Sequence, residues 1–271
     1  MIHVELVKML RRPRTWITIL LLNALPTLVA VLLAVTDIGP QPGEGPAFLS
    51  AVLTDGKLFP LAALAIVLPL FMPVAVAVVA GDAVAGEASG GTLRYLLTRP
   101  VGRTRLLVAK LVSVIAFVLV AVVVVAAVGY VVGRLLLGGG DATGLVTGVS
   151  GTSLTSTQLV ERTLMSIVYV TLSMLGVAAM ALMLSTMTDS AVGAALGALA
   201  FLIASTLLLT LDAAAALQPY LPTRNWLSFV DLFRDPILWR DIDRGVLLQG
   251  VYVLVFLGAA WANFTTKDIT S

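Results

Sequence analysis

Few residues in the 271-residue chain carry the side chains that catalysis or metal binding requires. There is no cysteine, and the single histidine, His3, lies in the basic N-terminus. A thiolate metal site, a thiol nucleophile, a histidine-rich metal centre and a Ser–His–Asp triad are therefore excluded within this chain. No P-loop is present either, because Gly56-Lys57 is followed by Leu58 and the glycine run 138–140 by Asp141. We expect a chain that is not an enzyme by itself and that holds neither a metal nor a cofactor.

The most ordered group of small and charged residues lies in residues 80–110. Small side chains over residues 83–91 allow close packing, and Gly90-Gly91 permits a turn. Thr92 to Leu97 can form one or two helical turns that stop before Pro100. The stretch is strongly basic, with Arg94, Arg99, Arg103 and Arg105. A short helix with leucines and flanking arginines suits a cleft on a soluble partner. The alternative is a solvated basic loop that only sets membrane orientation.

The elements that must position this loop are membrane helices. Hydrophobic residues make up 59% of the chain and charged residues only 12%, about half of the ~25% usual in soluble domains. Six apolar stretches reach the roughly 20 residues needed to cross a bilayer. They are Thr15 to Thr36, Leu58 to Ala80, Leu106 to Leu137, Thr163 to Met187, Ala191 to Leu211 and Val246 to Phe264. No polar stretch is long enough for a soluble domain, so residues 1–271 form a single transmembrane domain.

The second stretch is interrupted by proline. Pro69 and Pro73 lie near its middle and are expected to kink it, because proline cannot donate a helical hydrogen bond. The central parts of the six stretches contain no Asp, Glu, Lys, Arg or His, the groups from which proton relays are built. This argues against a proton-driven carrier, although a sodium site made from carbonyls and hydroxyls stays open.

The distribution of basic residues predicts the orientation. With the N-terminus inside, ten of the 17 Lys and Arg residues face the cytoplasm, four of them directly before the first span. Both termini are therefore expected to be cytoplasmic, and we interpret the basic residues as topology signals rather than nucleic-acid contacts. The first span is longer than a signal peptide and lacks a clear cleavage site, which favours a retained helix. Residues 1–14 are predicted to form an interfacial helix, since Ile2, Leu6, Met9 and Leu10 share helical spacing.

Two further segments carry patterns. Residues 212–245 form the longest segment between spans, predicted to be extracytoplasmic, where Trp226, Phe229 and Phe233 indicate a short amphipathic helix ending near Pro236. An aromatic belt that anchors the helices is favoured over an outer gate. In the fifth span, Gly193 and Gly197 form a G-x-x-x-G pattern that allows close helix packing, either within the chain or at a dimer seam.

The loop over residues 80–110 resembles the membrane subunits of ABC-2 type transporters, the permease family of bacterial exporters. The residues that carry the resemblance are Glu87, Gly91-Thr92-Leu93-Arg94, Leu97, Arg99-Pro100-Val101, Arg103 and Lys110. The ending Phe264-Thr265-Thr266-Lys267-Asp268-Ile269 also looks like the usual finish of that family. With six spans and a basic N-terminal helix, the resemblance covers essentially the whole chain.

The resemblance implies an all-α polytopic membrane protein that pairs with a second copy or a sister permease in the bacterial cell membrane. Two separate ATP-binding subunits would bind the ATP and drive transport. A cytoplasmic coupling helix within residues 81–105 would dock on them, and the implied coupling residues are Glu87, Thr92, Leu93, Arg94, Leu97, Arg99 and Arg103. Two other interpretations stay open: an ion-coupled secondary carrier or channel, and a membrane scaffold that transports nothing.

Overall fold

The computed structural model describes residues 1–36, 55–91, 102–138 and 146–266. Its helices are α1 (Ile2–Arg11), α2 (Pro13–Val35), α3 (Phe59–Val67), α4 (Phe71–Ser89), α5 (Arg103–Val132), α6 (Ser156–Met187), α7 (Ala191–Leu209) and α8 (Trp239–Thr266). Six of them, all except α1 and α3, are long and apolar enough to cross a membrane. The prediction of a helical, multi-pass membrane protein is thereby confirmed. Five of the predicted spans differ from these helices by at most about seven residues at either end, whereas the second, predicted for Leu58 to Ala80, covers α3 and only the first half of α4, the helix of spanning length.

The second span is divided between α3 and α4. Leu68 still donates its backbone N–H to the carbonyl oxygen of Leu64 at 3.0 Å, but Pro69 has no N–H to offer and the helix stops there. Pro73 does not add a second kink, because it lies in the first turn of α4, where no helical donor is needed. α4 then continues to Ser89, so residues 81–89 extend the helix rather than belonging to the following loop.

The helices form a bundle with α4 and α6 at its centre. More than half of the apolar window of each of these two helices is buried, whereas α2, α7 and α8 remain largely exposed. Apolar side chains such as Leu20, Leu196 and Leu254 cover their outer faces. A lipid environment or another apolar surface must cover these faces, because an exposed apolar area of this extent is not stable in water.

The bundle has two ends, which we call the α1 end and the opposite end. At the opposite end, a two-residue strand β1 (Val146–Thr147) pairs antiparallel with β2 (Ser153–Leu154). The chain between α7 and α8 makes three 3-10 turns, Asp212–Ala214, Gln218–Tyr220 and Trp226–Phe233. The hydroxyl of Tyr169 donates to the carbonyl oxygen of Asn225 at 2.6 Å, and the amide of Gln249 donates to that of Pro222 at 2.7 Å. These bonds fix the turns against α6 and α8.

The aromatic residues of this segment differ from the prediction. Trp226, Phe229 and Phe233 keep the predicted helical spacing, but the turn is a 3-10 helix and all three side chains are buried. They are core residues and do not form a belt facing lipid. Only Tyr220 and Trp239 are exposed in the way that a belt requires.

Candidate functional site

Charged side chains from four helices meet at the α1 end of the bundle. α1 contributes Glu5 and Lys8, α4 contributes Asp82 and Glu87, and α5 contributes Lys110, while Arg12 and Arg14 lie at the start of α2. We call these seven residues the ion cluster. Buried charges are costly unless they are paired, so the geometry of the cluster indicates how the helices are held.

The inner part of the ion cluster joins α1, α4 and α5. The ammonium group of Lys110 donates to a carboxylate oxygen of Glu5 at 2.9 Å and also contacts Glu87. Lys8 donates to the same oxygen of Glu87 at 2.7 Å. The side chains of Lys110 and Glu87 are only 5% and 8% exposed. Since each buried charge has an opposite charge in contact, the arrangement fixes α1 across the ends of both spans.

The local sequence explains why α1 can make these contacts. Glu5 and Lys8 are three residues apart, so they lie on one face of the helix. Met9 follows on the same side and is 6% exposed. The hydroxyl of Ser113 also approaches the carbonyl oxygen of Glu5 at 3.4 Å. One face of α1 thus packs against protein, and Val4 and Leu10 remain exposed.

The outer part of the ion cluster joins the start of α2 to α4. Arg12 donates to a carboxylate oxygen of Asp82 at 3.3 Å, and Arg14 contacts that same oxygen. These arginine side chains are 37% and 57% exposed, so the pairs are partly solvated and individually weak. A cavity of about 510 Å³ lies beside them, between α1, α2, α4 and α5.

Further polar contacts at the α1 end connect α6 and α8 to the bundle. Arg103, at the start of α5, donates to the carbonyl oxygens of Phe264 at 3.3 Å and Thr265 at 3.1 Å at the end of α8. Ser185 of α6 donates to the carbonyl oxygen of Gly81 at 2.6 Å and accepts from the N–H of Ala85 at 2.9 Å. The hydroxyl group is inserted between a carbonyl and the N–H four residues later, which is a known cause of local helix distortion.

Two of the predicted coupling residues fall within the described part of the chain. Glu87 takes part in the ion cluster, and Arg103 binds the end of α8. The other five lie outside the described residues: Thr92, Leu93, Arg94, Leu97 and Arg99. The structure therefore brings together the two ends of the basic loop, residues 87 and 110, and describes nothing of its middle.

Gly193 and Gly197 both lie on the exposed side of α7. The buried small residues of that helix are their neighbours Ala194, Ala195 and Ala198. They pack near Gly81 of α4, where an added Cβ would lie 3.0 Å from the backbone nitrogen of Ala195. The crossing with α4 thus uses the alanine face, while an added Cβ at Gly197 would lie 3.2 Å from the side chain of Leu184 in α6. The dimer seam remains a prediction for Gly193 and Gly197.

Sequence reasoning missed most of the ion cluster. Glu87 is predicted as a coupling residue, and its spacing does not reveal its pairing with Lys8 and Lys110, which lie 79 and 23 residues away along the chain. Asp82 was not singled out. A usable signal exists, because Lys110 and Asp82 sit within long apolar helices, where an ionisable residue calls for a partner. Among the described residues, no group of three or more His, Cys, Asp or Glu side chains is placed to hold a metal ion.

A family model described as "Protein of unknown function (DUF2705)" matches residues 47–270. No curated protein matches the chain. The matched range includes all the spans except the first, and it includes Asp82, Glu87 and Lys110 of the ion cluster.

Proposed function

The chain belongs to the DUF2705 family, and from its membrane architecture we propose that it is the transmembrane permease subunit of an ABC exporter. It forms the substrate pathway with a second copy or a sister permease. Separate ATP-binding subunits hydrolyse the ATP and dock on the loop between α4 and α5. The chain resides in the bacterial cell membrane with both termini in the cytoplasm, so that the α1 end faces the ATP-binding subunits.

The observation that carries the proposal is the set of contacts at the base of this loop. Glu87 at the end of α4 is paired with Lys110 near the start of α5, and Arg103 is bonded to the end of α8. A force applied to the loop would therefore act on three spans together instead of bending one loop. Such stiffness is what an element needs in order to transmit nucleotide-driven closure into a rearrangement of packed helices.

The loop itself supports the same proposal through its sequence. Its leucines Leu93, Leu96 and Leu97 would supply an apolar docking contact, and Arg94 and Arg99 lie close to them in the sequence. Burying one leucine at such a contact contributes roughly 1.5 to 3 kcal/mol. The chain also has no P-loop, so an energy source in a partner subunit fits its composition.

The test is the association of the tagged full-length chain with an ATP-hydrolysing subunit in detergent. Leu97→Asp should weaken the association about tenfold or more, because a charge replaces a buried apolar contact. Leu217→Asp is the matched control, since Leu217 is exposed outside the spans at the opposite end. It should retain the ATPase. Normal association and normal transport in Leu97→Asp would contradict the proposed docking site.

A second measurement separates this proposal from the ion-coupled carrier. Transport by an ABC exporter should continue when ion gradients are collapsed at constant ATP, and it should stop when ATP is depleted. Glu87→Gln should reduce coupled turnover more than ATPase association, because Glu87 lies at the base of the loop and not on its docking surface. Transport that stops with the gradients while ATP is held constant would favour the secondary carrier.

A further inference from the structure

The cavity beside the outer part of the ion cluster is a candidate lipid site. It lies between α1, the start of α2, α4 and α5, and all seven residues of the ion cluster line it, with Arg12, Arg14 and Asp82 as its outer part. We propose that it binds the headgroup of an anionic phospholipid, whose phosphate contacts Arg12 and Arg14. This inference requires only that the chain is a membrane protein and is independent of the proposed transport function.

The charge of the rim supports an anionic ligand. Two guanidinium groups converge on one carboxylate oxygen of Asp82, which leaves one positive charge in excess. In the inner part of the ion cluster, Lys8 and Lys110 are matched by Glu5 and Glu87, so it neither adds to nor removes this excess. A phosphodiester carries one negative charge, and the arginine fork presents donors in a geometry that suits phosphate oxygens.

The guanidinium groups are also accessible. Arg12 and Arg14 keep 37% and 57% of their side-chain surface exposed, whereas the carboxylate they share is 23% exposed. Each guanidinium has five N–H donors, and a single contact to Asp82 leaves others to point at a ligand. The neighbouring hydroxyls are already engaged as donors, since Thr15 donates to Met9 and Thr18 to Arg14.

The apolar wall of the cavity favours a lipid over a soluble phosphate. Val78 and Val79 line the same cavity one helical turn from Asp82. Val78 is half-exposed on the outside of the bundle, so the cavity opens where acyl chains would lie. The wall therefore changes from charged to apolar within one turn. This change matches a molecule that carries a phosphate headgroup and a hydrocarbon tail.

Trp16 indicates that the cavity lies at the depth of the membrane surface. It is two residues from Arg14, half-exposed, and its indole N–H donates to the carbonyl oxygen of Leu10 at 2.8 Å. Tryptophan is enriched at the boundary between headgroups and hydrocarbon. Basic pockets between membrane helices at this depth are known to bind anionic headgroups.

The experiment titrates the purified full-length protein in detergent with phosphatidylglycerol, phosphatidylcholine or inorganic phosphate, and counts bound lipid by native mass spectrometry. Phosphatidylglycerol should bind more tightly than phosphatidylcholine, and inorganic phosphate should not displace it. Arg12→Gln and Arg14→Gln should each weaken phosphatidylglycerol binding about fivefold, the equivalent of ~1 kcal/mol per basic residue. Binding of both lipids with equal affinity, or efficient displacement by inorganic phosphate, would overturn the proposal.

Two further variants separate a site from general attraction and from misfolding. Arg11→Gln removes the same charge from the same surface, but Arg11 does not line the cavity, so binding should be unchanged. Asp82→Asn frees both guanidinium groups and should strengthen phosphatidylglycerol binding, a direction that a folding defect would not produce. An equal loss in Arg11→Gln, or an Asp82→Asn variant that binds no better than the wild type, would overturn the site.

Discussion

Lys110 is the residue on which the inner part of the ion cluster depends. It contacts both Glu5 and Glu87 and is almost completely buried. Removing one partner of a buried ion pair leaves the other charge uncompensated, which costs roughly 3 to 5 kcal/mol. We therefore expect Lys110→Met to lower the free energy of unfolding by about this amount, with a clear fall in the thermal midpoint in detergent.

The double variant Glu87→Gln, Lys110→Met provides the control for this prediction. It removes both charges, and the remaining Glu5 and Lys8 can pair with each other across three residues of α1. The double variant should be less destabilised than the sum of the single variants, and the difference measures the coupling between the two side chains. Additive losses in the thermal midpoint would show that Glu87 and Lys110 are not coupled.

At the scale of single residues, the sequence shows which residue types are present more readily than which side chains contact each other. The exclusion of a thiolate metal site or a Ser–His–Asp triad depends only on which residue types are present, so it follows from the sequence alone. The contacts of Glu87 with Lys8 and Lys110 depend on how three helices meet, and no local spacing encodes that. The apolar surroundings of Lys110 predict that it needs a carboxylate, but they do not say which one.

The crossing of α4 and α7 depends on the absence of a side chain at Gly81. A Cβ there would lie 3.0 Å from the backbone nitrogen of Ala195 and 3.2 Å from the carbonyl oxygen of Ala191. Because backbone atoms cannot move aside cheaply, Gly81→Leu should force the helices apart. We expect a loss of about 1 to 3 kcal/mol in the free energy of unfolding, measured by thermal or denaturant unfolding.

Gly193→Leu is the matched substitution on the other side of this crossing. Gly193 is exposed on α7, and an added Cβ would meet only the side chains of Ser190 and Thr188. The variant should unfold like the wild type, and at the same time lose dimer mass in detergent if the glycine face is the dimer seam. Unchanged dimer mass in both Gly193→Leu and Gly197→Leu would remove this face from the interface. A Gly81→Leu variant as stable as the wild type would contradict the close crossing.

At the scale of elements, hydrophobic length predicted the spans because each must cover the same bilayer thickness. It could not predict their ends, since α4 continues seven residues past Asp82 with its charged side chains paired. The break at Pro69 follows from its missing donor, and Pro73 has no such effect because the break makes it an N-terminal residue. The aromatic spacing over 226–233 predicts a helical turn, but spacing alone does not distinguish a face toward lipid from one toward protein.

At the scale of the whole molecule, the outer helices have exposed apolar faces that lipid or another protein must cover. α2, α7 and α8 expose large apolar side chains along their length, while α4 and α6 are enclosed. This distribution of exposed side chains would fit a chain that packs one helix face against a second copy and turns its other faces toward lipid. A permease that works as a pair requires this arrangement. The ion cluster lies at the end that the distribution of basic residues predicts to be cytoplasmic, beside the loop that we propose as the ATPase docking site.

The orientation of the bundle leads to the last prediction. The chain has no cysteine, so single cysteines can be labelled without background. Suitable labelling positions are Tyr220, which is 67% exposed at the opposite end, and Arg11, which is exposed at the α1 end. Asn225 is buried, so a cysteine there would not be accessible to the label. In intact cells, a membrane-impermeant maleimide should label Tyr220→Cys and should reach Arg11→Cys only after permeabilisation, because the four basic residues up to Arg14 are expected to keep that end inside. Arg134→Cys, just beyond α5, should behave like Tyr220→Cys. If Arg11→Cys is labelled in intact cells and Tyr220→Cys is not, the bundle is inverted, and the loop between α4 and α5 faces away from any cytoplasmic ATPase.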